Sequence, residues 1–269
     1  MRSTFCALGL LLLGAGAAHA DDGQFSVGAG ANYSTGKYGT DTTTDIWSVP
    51  VTAGWQDDRW TLKLTVPYIG ISGSNDVIPG TGGVDNGNPR GRGHGRGTAG
   101  GGATPATGSA SGLGDVVASA GYHLFTSADY SAGLDLTGKV KFGTADADKG
   151  LGTGKNDYGL SLDAYKAYGE WTVFGGVGWM KYGSSDYIRL QNGFNANLGA
   201  GFKVSQSDDV GAYYYYREKI AEGGAAQSEL TAYWNHKIGA DWRLQSYVMG
   251  GLADGSPDWG VGATAKYLF

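Results

Sequence analysis

Cysteine is almost absent from this chain of 269 residues, and the single one, Cys6, lies near the N-terminus. The chain after that point can form no disulfide and has no thiol chemistry. Charged residues are few, at 17%, with 20 Lys and Arg against 25 Asp and Glu. This balance lacks the basic surface that nucleic-acid binding needs, so we expect no nucleic-acid partner. No later run of 18 apolar residues occurs, which argues against a membrane-spanning helix.

The first twenty residues have the pattern of a secretory signal peptide. Arg2 supplies positive charge, residues 5–13 are apolar, and Ala18-His19-Ala20 is a small-x-small cleavage site. We therefore expect export, with removal of residues 1–20. Residues 21–269 would then form one domain.

Glycine is abundant, at 50 residues, and aromatic residues make up 12% of the chain. No segment keeps a 3.6-residue period, but apolar residues recur at period two, as in Trp47-x-Val49-x-Val51-x-Ala53-x-Trp55. This alternation predicts strands with one apolar face. Aromatic residues at both ends of an apolar stripe match the two interfacial girdles of an outer-membrane barrel. A water-soluble sandwich would leave these aromatic residues in water.

Alternating segments predict twelve antiparallel strands. They are residues 25–34, 47–55, 60–68, 114–125, 130–142, 157–168, 171–182, 190–204, 209–220, 228–238, 241–252 and 258–269. Short connections alternate with longer ones, as periplasmic turns alternate with outer loops in bacterial barrels. The sequence therefore predicts an all-β, transmembrane, antiparallel up-and-down β-barrel in the bacterial outer membrane, with both termini periplasmic.

The longest predicted connection is a Gly-rich outer loop of residues 70–112. It is expected either to be mobile or to fold into the mouth of the barrel. It contains an Arg-Gly run at residues 90–96, but no helix follows, so a phosphate-binding loop is not expected.

Four inward polar residues are predicted to form a row at mid-height in the lumen. If residues 69 and 113 face each other, Lys63 lies beside Ser119, Ser119 near Asp135, and Asp135 near Asp163. Two neighbouring carboxylates favour a retained proton or a shared cation. Alternatively, the row is a salt-bridged plug that fills a narrow lumen.

An aromatic wall is predicted on the opposite side of the lumen. It consists of Tyr213, Tyr215, Tyr233 and Tyr247, with Phe174 and Met180 beside them. Aromatic faces bind sugar rings or aromatic solutes, but they also simply fill space. Inward basic residues outnumber inward acidic ones, so we expect a basic lumen.

The histidines after the signal peptide do not suggest an active site. His94 lies in the Gly-rich loop, His123 points inward with no acid expected at matched height, and His236 points outward beside Trp234. None forms a convincing nucleophile–base pair. We expect no enzyme, no metal and no cofactor.

Two stretches resemble a known family: Ser111-Gly-Leu-Gly-Asp-Val116, and residues 139–158 with the sequence KVKFGTADADKGLGTGKNDY. The chain over residues 110–269 resembles the outer-membrane transporter-like family named for the meta-cleavage pathway of phenol degradation. The resemblance implies transport of small compounds, aromatic or hydrophobic ones among them.

The expected function is passive uptake of small solutes through the lumen of an outer-membrane channel. The alternatives are a channel for anionic oligosaccharides, favoured by the basic excess, and a structural or adhesive barrel with a plugged lumen. The expected partners are outer-membrane lipid and lipopolysaccharide, a small-molecule solute, and the barrel-assembly machinery, which would recognise the terminal aromatic residue Phe269.

Overall fold

The computed structural model describes residues 23–92 and 107–269, so the predicted signal peptide lies outside the described residues. Regular structure in these two ranges consists of strands. No helix in them is long and apolar enough to cross a membrane.

The two described ranges form fifteen strands. They are β1 (Gln24–Gly36), β2 (Thr44–Gln56), β3 (Trp60–Ser74), β4 (Val77–Ile78), β5 (Gly82–Gly83), β6 (Thr107–Leu113), β7 (Val116–Thr126), β8 (Ala132–Phe142), β9 (Asp157–Tyr168), β10 (Trp171–Lys181), β11 (Gly193–Lys203), β12 (Asp208–Arg217), β13 (Gln227–Ile238), β14 (Trp242–Gly251) and β15 (Trp259–Leu268). The predicted strands coincide with these to within a few residues at most ends.

Thirteen of the strands form one antiparallel sheet that closes on itself, because β1 pairs with both β2 and β15 and β2 also pairs with β3. Strands β6 and β7 both pair with β3, so they are two parts of one wall strand and the barrel has twelve. The break lies at Gly114, whose N–H donates to the carbonyl oxygen of Pro67. Because Pro67 has no N–H, the ladder cannot continue normally past it. The predicted twelve-stranded up-and-down barrel is confirmed.

The outer face of the barrel is apolar. Leu62, Leu64 and Val66 of β3 are exposed on it, and Leu198 of β11 is 64% exposed. Aromatic pairs lie near both ends of the strands: Trp47–Tyr68, Tyr33–Trp259, Trp60–Tyr122, Trp171–Phe202 and Trp242–Tyr267. An apolar band between two aromatic belts is the surface that a bilayer requires.

Connection length distinguishes the two ends of the barrel. The turn end has the short connections 57–59, 127–131, 169–170, 204–207 and 239–241, together with the start of β1 and the end of β15. The loop end has residues 37–43, 143–156, 182–192, 218–226 and 252–258, and the connection between β3 and β6.

The connection between β3 and β6 is shorter than the predicted loop of residues 70–112. Strand β3 continues to Ser74, which pairs with Thr107 at the start of β6. The glycine residues of this part of β3 led to its prediction as a loop. The packing of the strand nevertheless requires glycine, because a Cβ at Gly70 would overlap the indole of Trp47 on the neighbouring strand.

Residues 75–92, here called the plug segment, fold into the mouth of the barrel at the loop end. Val77 packs with Tyr38, Ile71 and Leu151 in one buried cluster. A second cluster consists of Ile78, Val84, Ile188 and Ala221. Of the two alternatives left open by the sequence, folding into the mouth therefore applies to residues 75–92.

Candidate functional site in the lumen

A cavity of about 520 Å³ lies inside the barrel. Its walls come from β3 and from β7 to β13, and Gly80 of the plug segment lies at its edge. The volume is in the range of small-molecule sites in proteins. Polar, charged and aromatic side chains line it, so it differs from the dry apolar voids found in protein cores.

Lys63 pairs with Ser119 across β3 and β7, as predicted. Ser119 does not pair with Asp135, so that part of the predicted row is wrong: its partner on β8 is Lys139, four residues further along. The shift comes from the turn, which is longer than predicted: Tyr130 has a φ of 55° and belongs to the turn, so β8 begins at Ala132 and Thr126 pairs with Gly133. A bulge between His123 and Phe125 then reduces the shift by one residue.

Asp135 pairs with Asp163 across β8 and β9, as predicted. The two residues have different surroundings. Asp163 accepts a hydrogen bond from Ser161 and lines the cavity, whereas Asp135 is 2% exposed and lies within hydrogen-bond distance of His123. The expectation that His123 has no acid at matched height is therefore wrong, for the same reason of register.

Lys141 holds two carboxylates together near the loop end. Its Nζ lies 2.8 Å from Asp115 Oδ2 and 2.8 Å from Asp157 Oδ2. The other oxygens of these groups accept hydrogen bonds from the backbone N–H groups of Ala145 and Gly183. The ion triad therefore joins the barrel wall to two of the long loops.

Arg217, at the end of β12, contacts the tip of the plug segment. Its guanidinium donates to the carbonyl oxygens of Gly80 and Thr81 and lies 5.9 Å from the ring centre of Tyr182. The alternation of β12 makes Arg217 one of the inward basic residues, but the sequence did not reveal this contact. No motif signals a guanidinium that binds backbone carbonyl groups in a Gly-rich segment.

Arg92 holds the other end of the plug segment. Its Nη1 donates to the carbonyl oxygen of Gly150 at 2.6 Å, and its Nη2 donates to those of Ser74 at 2.7 Å and Val77 at 2.8 Å. Burial lowers the pKa of Arg92 to about 10. The plug segment is thus fixed to the barrel by two arginines and two apolar clusters.

The four predicted aromatic residues occupy neighbouring positions on β12 to β14. Tyr213 and Tyr215 line the cavity. The ring of Tyr233 lies 6.4 Å from that of Tyr213, and Tyr247 pairs with Tyr233 in register. The hydroxyl of Tyr247 donates to Asn32 Oδ1 across the lumen wall, at 3.2 Å. The predicted wall is therefore contiguous, with two of its four residues at the cavity.

Basic residues are concentrated in the lumen towards the turn end. Arg243 pairs with Lys237 on one side and with Lys266 on the other. Arg243 is 3% exposed and Lys266 is 9% exposed. Like charges directly opposite each other on neighbouring strands destabilise a sheet. The row of three basic residues is therefore better explained by a functional role than by a contribution to stability.

No model of a known protein family and no curated protein matches the chain. Solved structures do match it. It is similar to an outer-membrane channel from Pseudomonas putida F1, with 16% identity over 94% of this chain and 100% of that one, and a TM-score of 0.67. The β-domain of the Bordetella autotransporter BrkA gives 15% identity, 92% and 100% coverage, and a TM-score of 0.54. The KdgM porin in complex with disordered oligogalacturonate is 9% identical over 88% of this chain and 98% of that one, with a TM-score of 0.51.

At these identities the likeness establishes the fold. The chain has the fold of bacterial outer-membrane β-barrels, and channels are among the proteins that share it. This fold and the apolar outer face are consistent with a location in the bacterial outer membrane.

Proposed function

We propose that this protein is an outer-membrane channel through which small solutes cross passively, and that the plug segment controls access at the loop end. One observation carries the proposal: a cavity of about 520 Å³ with charged side chains in its lining remains in the lumen directly beneath a plug segment. A barrel with a purely structural role has no need of such a cavity. The fold shared with the Pseudomonas putida channel supports the same role.

The solutes that suit this lumen are small aromatic compounds that carry polar groups. The resemblance to the family named for phenol meta-cleavage favours aromatic compounds, and Tyr213 and Tyr215 offer aromatic faces at the cavity. Charged residues in the same lining, such as Lys139 and Asp163, disfavour a plain hydrocarbon, because its entry would leave buried charges without water.

A channel for anionic oligosaccharides is the second candidate. The basic residues towards the turn end, Lys237, Arg243 and Lys266, favour it. The plug segment disfavours it in the present conformation, because an extended sugar chain could not pass Gly80 and Thr81 while Arg217 holds them.

The orientation and partners follow from the same proposal. The turn end, with both termini, would face the periplasm, and the apolar face would contact lipid and lipopolysaccharide. Phe269 is 72% exposed and its ring lies 5.0 Å from that of Tyr267, where assembly machinery could reach it.

We propose no catalytic role. The His123–Asp135 pair has no hydroxyl or thiol nucleophile hydrogen-bonded to it among the described residues.

Conductance in planar bilayers tests the channel function directly. Since Ser74 pairs with Thr107, residues 75–106 can be replaced by a two-residue Asn-Gly turn that closes the β3–β6 hairpin. We expect rare openings from the intact protein and sustained conductance from this plug-free variant. Heat-modifiable migration on gels confirms that each barrel is folded. Folded barrels with no conductance in either form would refute the channel.

A further inference from the structure

Three inward side chains lie side by side on the cavity wall: Lys63, Ser119 and Lys139. Ser119 pairs with Lys63 on one side and with Lys139 on the other, and all three line the cavity. Neighbouring strands are about 4.8 Å apart, so a hydroxyl-bearing residue lies between two lysine residues along this wall. The two ammonium groups and the hydroxyl group can all donate hydrogen bonds, and the ammonium groups also carry positive charge.

The nearest acids do not neutralise Lys139. Asp115 and Asp157 both form ion pairs with Lys141. Among the described residues, no carboxylate forms an ion pair with Lys139, although the field of Asp157 reaches it. Gly159 lies opposite Lys139 on β9, and its lack of a side chain leaves room for the Lys139 Cε and the Met180 Sδ, which both lie over it.

Further round the same cavity, an acceptor atom of Asn197 has no partner among the described residues. Asn197 Oδ1 is buried and accepts no hydrogen bond from any described residue. Asn197 pairs with Tyr215 on β12, and both line the cavity. A buried acceptor without a partner is costly, which indicates that a donor from water or a ligand completes it.

We propose that these residues form a binding site for a small organic anion, a ring that carries both a carboxylate and a hydroxyl group. The carboxylate lies between Lys63 and Lys139 and accepts a hydrogen bond from Ser119. The hydroxyl group of the ligand donates to Asn197 Oδ1, and the ring lies against Tyr215. The inference rests on the proposed channel function and names the class of solute.

The basic residues towards the turn end extend this site. Lys266 is close enough to Lys63 for their charges to interact, and Arg243 pairs with Lys266. An anion that leaves the cavity therefore meets further positive charge on the way to the turn end. This gives the repulsive cross-strand register of Arg243 and Lys266 a reason, because their combined field attracts the solute.

Equilibrium dialysis of the refolded full barrel in detergent tests the site without requiring conduction. The probes are radiolabelled 4-hydroxybenzoate, galacturonate and phenol. We expect at least one of the two ring carboxylates to bind, and phenol to bind at least about tenfold more weakly, because it lacks the carboxylate. Preference for 4-hydroxybenzoate identifies an aromatic acid as the solute, and preference for galacturonate identifies a sugar acid.

Variants localise the site. Lys139→Gln and Lys63→Gln should each weaken carboxylate binding about tenfold or more, and Lys139→Arg should retain most of it. Lys37→Gln, which removes the same charge from an exposed loop position, should leave binding unchanged. Heat-modifiable migration on gels shows that each variant is folded. If Lys139→Gln does not fold, Lys63→Gln alone provides the test.

The proposal is overturned if neither carboxylate binds, if phenol binds as tightly as 4-hydroxybenzoate, or if both folded glutamine variants bind like the parent protein. Failure of the site is distinguishable from failure of the channel. A plug-free barrel that conducts but binds no carboxylate retains the channel and loses the site. A barrel that binds the anion but never conducts retains the site and loses the channel.

Discussion

Arg217 donates a hydrogen bond from its Nη1 to the carbonyl oxygen of Gly80, at 3.2 Å, and so joins the barrel wall to the tip of the plug segment. Its Nη2 binds the next carbonyl group, that of Thr81. In both contacts the charged guanidinium group binds a backbone carbonyl group of the plug segment and not a carboxylate. Water can replace such acceptors when the plug segment moves, so the contact is strong but reversible.

Replacement of Arg217 should therefore open the channel. Hydrogen bonds to a charged donor contribute about 1.5–3 kcal/mol each, so Arg217→Gln should raise the open-to-closed ratio by about tenfold or more. Single-channel recording measures this ratio as the fraction of time open. Arg189→Gln, on an exposed part of a long loop, is the matched control and should have no effect. An unchanged open fraction in Arg217→Gln would show that the contact does not hold the plug segment.

Lys141 should be a major contributor to stability. Its removal leaves Asp115 and Asp157 close together, both largely buried and without their shared cation. Lys141→Met should therefore lower the free energy of unfolding by about 3–5 kcal/mol, measured by urea unfolding in lipid vesicles. Asp115→Asn should partly restore the stability of Lys141→Met, since residues in contact have non-additive effects. Additive losses would contradict the triad.

The barrel was predictable because the bilayer imposes one simple rule on every strand. Outward residues such as Leu64 and Leu198 must be apolar wherever they face lipid, so period two is visible in the wall strands apart from the Gly-rich end of β3 and β6. The same rule predicted Asp135 and Asp163 as neighbours, because the register of β8 and β9 is regular. Lys63 and Ser119 were also predicted as neighbours, although residue 69 faces Gly112 and not residue 113, because the break at Gly114 shifts the register by one residue.

The site was less predictable because it depends on local irregularities. A longer turn with a left-handed Tyr130, offset by one residue at the bulge after His123, moved β8 by a net four residues, which brought Lys139 beside Ser119 in place of Asp135. The plug segment depends on contacts of Arg92 and Arg217 with backbone carbonyl groups, and every residue type has such a group. Side-chain patterns carry no information about those acceptors.

The lipid-facing surface can be tested with one pair of substitutions. Leu198 is 64% exposed on the outer face, whereas Thr137 lines the cavity. Leu198→Arg should cost about 2–4 kcal/mol of folding free energy in bilayers, because the charge enters the hydrocarbon region. Thr137→Arg should cost clearly less. Equal costs measured by equilibrium folding into vesicles would contradict the assignment of the two faces.

Asp129 should make the stability of one turn depend on pH. Its carboxylate accepts hydrogen bonds from the Ser127 hydroxyl, the largest cause, and from the N–H and hydroxyl of Ser131. These lower its pKa from 3.8 to about 2. Because the folded-state pKa is depressed, the stabilisation is complete above the unfolded value and is lost as pH falls through about 2.

Asp129→Ala should therefore be less stable than the parent protein near neutral pH, and the difference should shrink as the pH falls from about 4 to about 2. Urea unfolding at several pH values measures it. Asp186→Asn, on an exposed loop, serves as the control. A difference that stays constant across this range would show that the charge of Asp129 has no part in holding the turn.

The orientation of the barrel can be tested on intact cells. Loops longer than the turns occur at one end, and in bacterial barrels such loops lie outside the cell. An epitope tag inserted between Glu222 and Gly223, both exposed in a long loop, should bind its antibody on intact cells. A tag between Gly169 and Glu170, in a two-residue connection, should bind only after the outer membrane is permeabilised. Antibody binding at residues 169–170 on intact cells, with none at residues 222–223, would place the termini outside the cell. The plug segment would then face the periplasm, and its control of access would act on solutes as they leave the channel.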